Sequence, residues 1–106
     1  MNARIERLKE LLKQSPKDSF ILFALAKEFE KLSMPEKAIE FYTTLLEYFP
    51  NYVGAYYHLA AIYQEKELFT EAMETYIKGM EIAKSIGDQH AYSELQNAKM
   101  NLEIEM

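Results

Sequence analysis

The side chains in this sequence that could do acid–base or metal chemistry are two histidines, His58 and His90, and a scatter of glutamates. The histidines lie on different segments, with neither the HxxxH pattern nor a histidine–carboxylate spacing typical of a metal site, so both read as solvated or edge residues. Glu28, Glu36, Glu47 and Glu74 fall on outer helical faces, whereas paired-carboxylate catalysis needs two carboxyls facing each other in a cleft. There is no glycine-rich phosphate loop, serine elbow or nucleophile–base pair. With no cysteine, disulfides, thiolate metal sites and a cysteine nucleophile are excluded, and a reducing compartment fits. These residues give no support to an enzyme or to a cofactor. The chemistry that remains is recognition.

Charge narrows the partner. Seventeen acidic against twelve basic residues give a net charge of −5, spread along the chain, which argues against the basic stripe that nucleic-acid binding needs. A basic or apolar partner suits it better. The opening MNARIERLKELLKQ holds no apolar run able to act as a signal or a span, so a soluble, cytoplasmic protein without membrane attachment is expected. At 106 residues the chain is one domain's worth. That length supports a continuous core without disulfide or metal staples.

The elements that must position any binding surface are helices. Three glycines and three prolines are too few for a turn-rich β fold, and good helix formers abound. Ile5, Leu8, Leu11 and Leu12 form one apolar face of a first helix, ended by Ser15 and Pro16. Asp18 is placed to cap a second over Ser19 to Lys31, with Leu22, Leu25, Ala26 and Phe29 on one face. Ser33-Met34-Pro35-Glu36 has the pattern of a capping box with proline near the helix start. The helix it opens carries Ala38, Ile39, Tyr42, Leu45, Leu46 and Phe49 and stops at Pro50, with Asn51 placed to cap the next. A fourth helix bears Tyr56, Leu59, Ala60 and Tyr63. The turn Glu65 to Phe69 lacks glycine and proline and rests on periodicity alone. A fifth helix bears Ala72, Met73, Tyr76 and Met80 and stops at Gly87, with Asp88 as the following N-cap.

One interval runs through these elements. Pro16 and Pro50 lie 34 residues apart, and so do Leu25 and Leu59, Ala26 and Ala60, Phe29 and Tyr63, Ala38 and Ala72, and Tyr42 and Tyr76. A fixed period of this size indicates a solenoid of repeated units. The last helix, with Ala91, Leu95, Ala98 and Leu102 in a stripe, breaks the register, since strict repetition would put His90, Ser93, Glu94 and Asn97 in the core. It reads as a closing helix with a more polar outer face.

Leu22-x-x-Leu25-Ala26-x-x-Phe29 with Ala38-x-x-x-Tyr42, and again Tyr56-x-x-Leu59-Ala60-x-x-Tyr63 with Ala72-x-x-x-Tyr76, resemble the tetratricopeptide repeat. Two positions depart from its pattern: alanine stands where the family usually has glycine, and Gly79 occupies the position of Leu45. The resemblance implies an all-α, antiparallel helix-pair solenoid with a right-handed superhelical course and about six helices. It divides the single domain into a flanking helix over 3–15, repeats over 19–52 and 53–86, and a capping helix over 88–105.

The resemblance also directs attention to the groove face, which repeats of this kind use to bind short protein segments. That face carries Phe20, Phe23, Lys27 and Glu30 in the first repeat and Gly54, Tyr57, Ala61 and Gln64 in the second, with Ala24 and His58 beside them. Phe20, Phe23 and Tyr57 are either anchors for a partner or contacts with a flanking helix. The family's carboxylate clamp is not reproduced: Phe23 stands where its first lysine would be, and Lys27 and His58 where asparagines are expected. Lys27 and His58 still suit one acidic group. The expected site is therefore Phe20, Phe23, Lys27, Tyr57, His58, Ala61 and Gln64, and the expected partner an apolar or mildly basic segment. A rival reading is self-association through the groove or the open ends, giving a homo-oligomer. The six methionines, Met1, Met100 and Met106 among them, suit adaptable contacts or gap filling.

Overall fold

The structure is a computed structural model describing residues 2–106; Met1 lies outside them. Among the described residues there are six α-helices and no strands: α1 (Ala3–Gln14), α2 (Ser19–Lys31), α3 (Pro35–Tyr48), α4 (Gly54–Glu65), α5 (Phe69–Ile86) and α6 (Gln89–Glu105). The chain is an all-α helical repeat divided into two compact units, one ending at Phe49 and one running from Pro50 to Met106.

In the first unit α2 packs against both α1 and α3. Its core is Ile5 and Leu8 of α1, Ile21, Leu22, Leu25, Ala26 and Phe29 of α2, and Ala38, Tyr42 and Leu45 of α3. Ala26 and Ala38 are fully buried. Small side chains at these two positions let the helices approach closely enough for larger neighbours to interdigitate. Phe29 stacks on Phe41 with ring centroids 5.7 Å apart.

One core position is charged. Glu28, expected on an outer face, is instead buried where α2 meets α1, its carboxylate held by Arg4 at 3.0 Å and Lys31 at 3.3 Å. Burial alone would raise its pKa, but the hydrogen bonds and charges of Lys31 and Arg4 outweigh burial and hold it below the usual range. Periodicity within α2 gave no sign of this, because Arg4 lies on another helix. Glu36, Glu47 and Glu74 are exposed.

The second unit repeats the arrangement with α4 against α5 and adds α6, which packs on α5 and also reaches α4. Ala60 and Ala72 are fully buried here, as Ala26 and Ala38 are above. Gly79 lies at a closer approach still: a Cβ there would come within 2.7 Å of Tyr56 Cβ and 3.0 Å of Leu95 Cδ1. Tyr56 is pinned in turn, its hydroxyl donating to the Pro50 carbonyl at 2.7 Å.

The helix ends follow the repeat more closely than side-chain capping does. Asp18 and Asp88 cap α2 and α6, accepting from the Ile21 and Ala91 amides at 3.2 and 2.9 Å. Ser33, however, is no N-cap. It sits at φ 56° just past the end of α2, while Met34 precedes α3 without any side-chain cap. The Met34 amide donates to Phe29 O and the Ser33 amide to Glu30 O, both at 3.0 Å, which is the Schellman pattern closing a helix through a left-handed residue. Glu67, 34 residues later, does the same at φ 60°, with Leu68 donating to Tyr63 O at 2.9 Å. The third such end is at Gly87, φ 75°, the one place where the left-handed residue is glycine. Nor does Asn51 cap α4. That helix opens at Gly54 through a tight turn in which Ala55 N donates to Tyr52 O at 3.1 Å and Tyr56 N to Val53 O at 3.2 Å.

Candidate functional site

On α2, the expected binding residues differ in how far their own unit already uses them. Phe20 is 73% exposed. Phe23, one helical turn on, is half-buried, in a T-shaped contact with Tyr42 at 5.9 Å between centroids. Lys27 is half-buried on the same side of the helix. Below them the Tyr42 hydroxyl donates to the Glu30 carboxylate, tying α3 to α2.

The same tie recurs 34 residues later, and there it lies within a cleft. The Tyr76 hydroxyl donates to Gln64 Oε1 at 2.9 Å, and Gln64 Nε2 donates to Glu105 Oε2 at 2.6 Å, so one amide bridges α5 and α6. With both ends engaged, its orientation is fixed. The cleft encloses about 520 Å³; Tyr57, Ala61, Gln64 and Glu65 of α4 form one wall with Tyr76 beside them, and Glu94, Asn97, Ala98, Asn101 and Glu105 of α6 form the other.

Tyr57 is 40% exposed and forms a T-shaped contact with Tyr76, with centroids 6.5 Å apart. Its ring also meets that of His58 at 6.0 Å. His58 itself does not line the cleft. Of the second-repeat set, Tyr57, Ala61 and Gln64 are thus brought together, with His58 supporting Tyr57 from the side. Burial, helped by the nearby Tyr57 and Glu105, pushes the Tyr76 hydroxyl up to about 12. It therefore remains a neutral donor to Gln64 at ordinary pH.

The α6 wall is what the sequence reading missed. Glu94, Asn97, Asn101 and Glu105 follow one another at steps of three and four, which places them on one helical face. They sit beside the buried Leu95 and Leu102. The signal was present in the spacing, but a polar stripe on a closing helix reads equally well as a solvated surface. Here it faces α4.

His90 pairs with Glu94 at 3.4 Å on its own exposed helix turn. Among the described residues, no three histidine, aspartate or glutamate side chains are grouped as metal ligands would be. No described helix is long and apolar enough to cross a membrane.

The family model described as tetratricopeptide repeat matches residues 21–52 and 53–86. Among solved structures, a tetratricopeptide repeat domain protein from Salinibacter ruber is 40% identical over 83% of this chain and 89% of its own, with a TM-score of 0.79. Protein BPP2914 from Bordetella parapertussis is 28% identical over 99% of this chain and 91% of its own, with a TM-score of 0.85. The TPR2B domain of yeast Sti1, solved as a complex with pHsp70, is alike in fold at 20% identity, covering 96% of this chain and 82% of its own with a TM-score of 0.88. No curated protein sequence matches the chain.

Proposed function

Because the chain belongs to the tetratricopeptide repeat family, we propose that it is a non-catalytic, cytoplasmic interaction module that needs no cofactor and holds a protein segment against the groove faces of its helices. Phe20, Phe23 and Lys27 serve on α2. Tyr57, Ala61 and Gln64, with His58 behind Tyr57, serve on α4. In this reading 3–15 is a flanking helix, 19–52 and 53–86 are the two repeats, and 88–105 closes the second while walling its cleft.

The observation that carries the proposal is the cleft of about 520 Å³ beside a half-exposed Tyr57. A concave surface with an aromatic held by its neighbours and several polar groups around it is the usual form of a recognition site. The Sti1 domain, alike in fold and solved with pHsp70 bound, supports the general role. The test is affinity capture from lysate of the source organism, with wild-type chain and a Tyr57→Ala, Gln64→Ala double variant as baits. A protein retained by the wild type and lost from the variant supports the proposal; identical retention by both baits contradicts it.

A second reading is self-association, favoured by Met100 and Ile104 on α6, 54% and 82% exposed and one turn apart. Light scattering across a concentration series tests it: a mass that rises with concentration in the wild type and not in Ile104→Glu supports it, and a constant monomer mass refutes it.

A further inference from the structure

We propose that the cleft between α4 and α6 selects an extended protein segment bearing arginine or lysine, with the cation received by Glu65, Glu94 and Glu105. This deepens the binding role proposed above and rests on it.

Charge complementarity is the first argument. Three carboxylates line the cleft, one from α4 and two from α6, and none of its lining residues is lysine or arginine. An acidic segment would meet like charge on both walls, which opposes binding and lowers the association rate. The lining also argues against a purely apolar occupant, because Ala61 and Ala98 are its only aliphatic members. A cation answers both features.

Arginine suits the aromatic wall as well. A guanidinium is planar, weakly hydrated and stacks on a phenol ring while hydrogen-bonding a carboxylate in its own plane. Tyr57 offers a half-exposed ring within the same cleft, positioned by a T-shaped contact with Tyr76. The Gln64 amide, fixed by the Tyr76 hydroxyl, donates to Glu105, and His90 lies 3.4 Å from Glu94, so an incoming cation shares each of these two carboxylates with a group already on it, while Glu65 completes the set.

The stripe has the length of a short segment. From Glu94 to Glu105 the α6 wall runs about 16 Å at the helical rise, which matches about five residues of extended chain. Two cations about four or five residues apart would each find a carboxylate along it, Glu94 at one end and Glu105 at the other.

The test uses the full chain, labelled with ¹⁵N and titrated with capped heptapeptides of alanine, leucine and serine carrying zero, one or two arginines, and with counterparts carrying glutamate instead. Expected are shifts confined to cleft residues for the arginine peptides, none for the glutamate ones, and binding lost by 0.5 M salt, where screening is strong. Glu65→Gln and Glu94→Gln should each weaken binding by about three- to fivefold, while both variants keep the wild-type far-ultraviolet spectrum. If neutral peptides bind the cleft as well as arginine ones and the glutamine variants change nothing, the cationic selectivity is wrong although segment binding stands. If no peptide of any charge shifts the cleft, this inference is overturned, and segment binding by the cleft loses its support with it.

Discussion

Replacing Gly79 by alanine sets two effects of opposite sign against each other, and the geometry decides between them. Alanine is the better helix former, by about 0.8–1 kcal/mol in a helix interior. Against that, the new methyl would stand 2.7 Å from Tyr56 Cβ, 3.2 Å from Tyr56 Cγ and 3.0 Å from Leu95 Cδ1. The leucine methyl can swing aside at small cost. Tyr56 Cβ cannot, since it is one bond from the α4 backbone and its ring is held at the far end by Pro50. The helices must therefore separate, and overpacking of this kind costs about 1–3 kcal/mol. With the clash on a backbone-anchored atom the cost belongs near the upper end, leaving a net loss of about 1–2 kcal/mol. That corresponds to a fall in Tm of roughly 5–15 °C for a domain of this size. Gly54→Ala is the internal control: at the first residue of α4 it gains only part of the interior helical preference, but it meets nothing within 4 Å. Thermal and urea melts followed by circular dichroism at 222 nm should show Gly79→Ala below the wild type and Gly54→Ala at or above it. If Gly79→Ala is as stable as Gly54→Ala, the close approach of α4 and α6 to α5 is not what this glycine provides.

Other consequences follow from the same contacts. Glu67→Gly, and likewise Ser33→Gly, relieves a left-handed residue at a helix end and should raise stability by about 0.5–1 kcal/mol, less than the full cost of that conformation because glycine also loosens the unfolded chain. Glu28 is depressed in the folded state, so its contribution is present above the unfolded carboxylate pKa and lost as pH falls through the folded value. Arg4→Met removes one of the groups depressing it, and acid unfolding monitored by circular dichroism should then begin at a higher pH than in the wild type. Tyr76 runs the other way: its folded pKa of about 12 exceeds the ordinary tyrosine value of about 10. The stability it confers is complete below about pH 10 and lost as pH rises through about 12. Phenolate absorbance at 295 nm should show tyrosines titrating late or only on unfolding, and Tyr76→Phe should remove the last of these while leaving Tyr56, which burial also raises.

The repeat was legible because packing specifies size. Ala26 and Ala60, Ala38 and Ala72, and Tyr42 and Tyr76 recur at one interval, and all six are buried. Where local chemistry had to be guessed without that interval, the reading held at Asp18, Asp88 and Gly87 and failed at Ser33 and Asn51. Ser33 looked like a cap because serine caps helices, yet the position is fixed by the left-handed turn before α3, and Glu67 fills the equivalent position without any turn residue to announce it. Glu28 looked solvated because its partner Arg4 is on another helix. In the cleft, Tyr57, Ala61 and Gln64 could be named from the family pattern on α4, while Glu94, Asn97, Asn101 and Glu105 could not. Those four belong to a helix that leaves the register, and only the packing of α6 on α5 turns that stripe toward α4.

Site-specific photocrosslinking reads out directly whether a partner occupies the cleft. With p-benzoylphenylalanine in place of Tyr57, inside the cleft, or in place of Glu74, exposed on α5 of the same unit, irradiation in cells of the source organism should give a discrete covalent adduct from position 57 and none from position 74. Excess arginine-bearing peptide added to a lysate should suppress it. Adducts of equal yield at both positions, or none at position 57, would contradict the account.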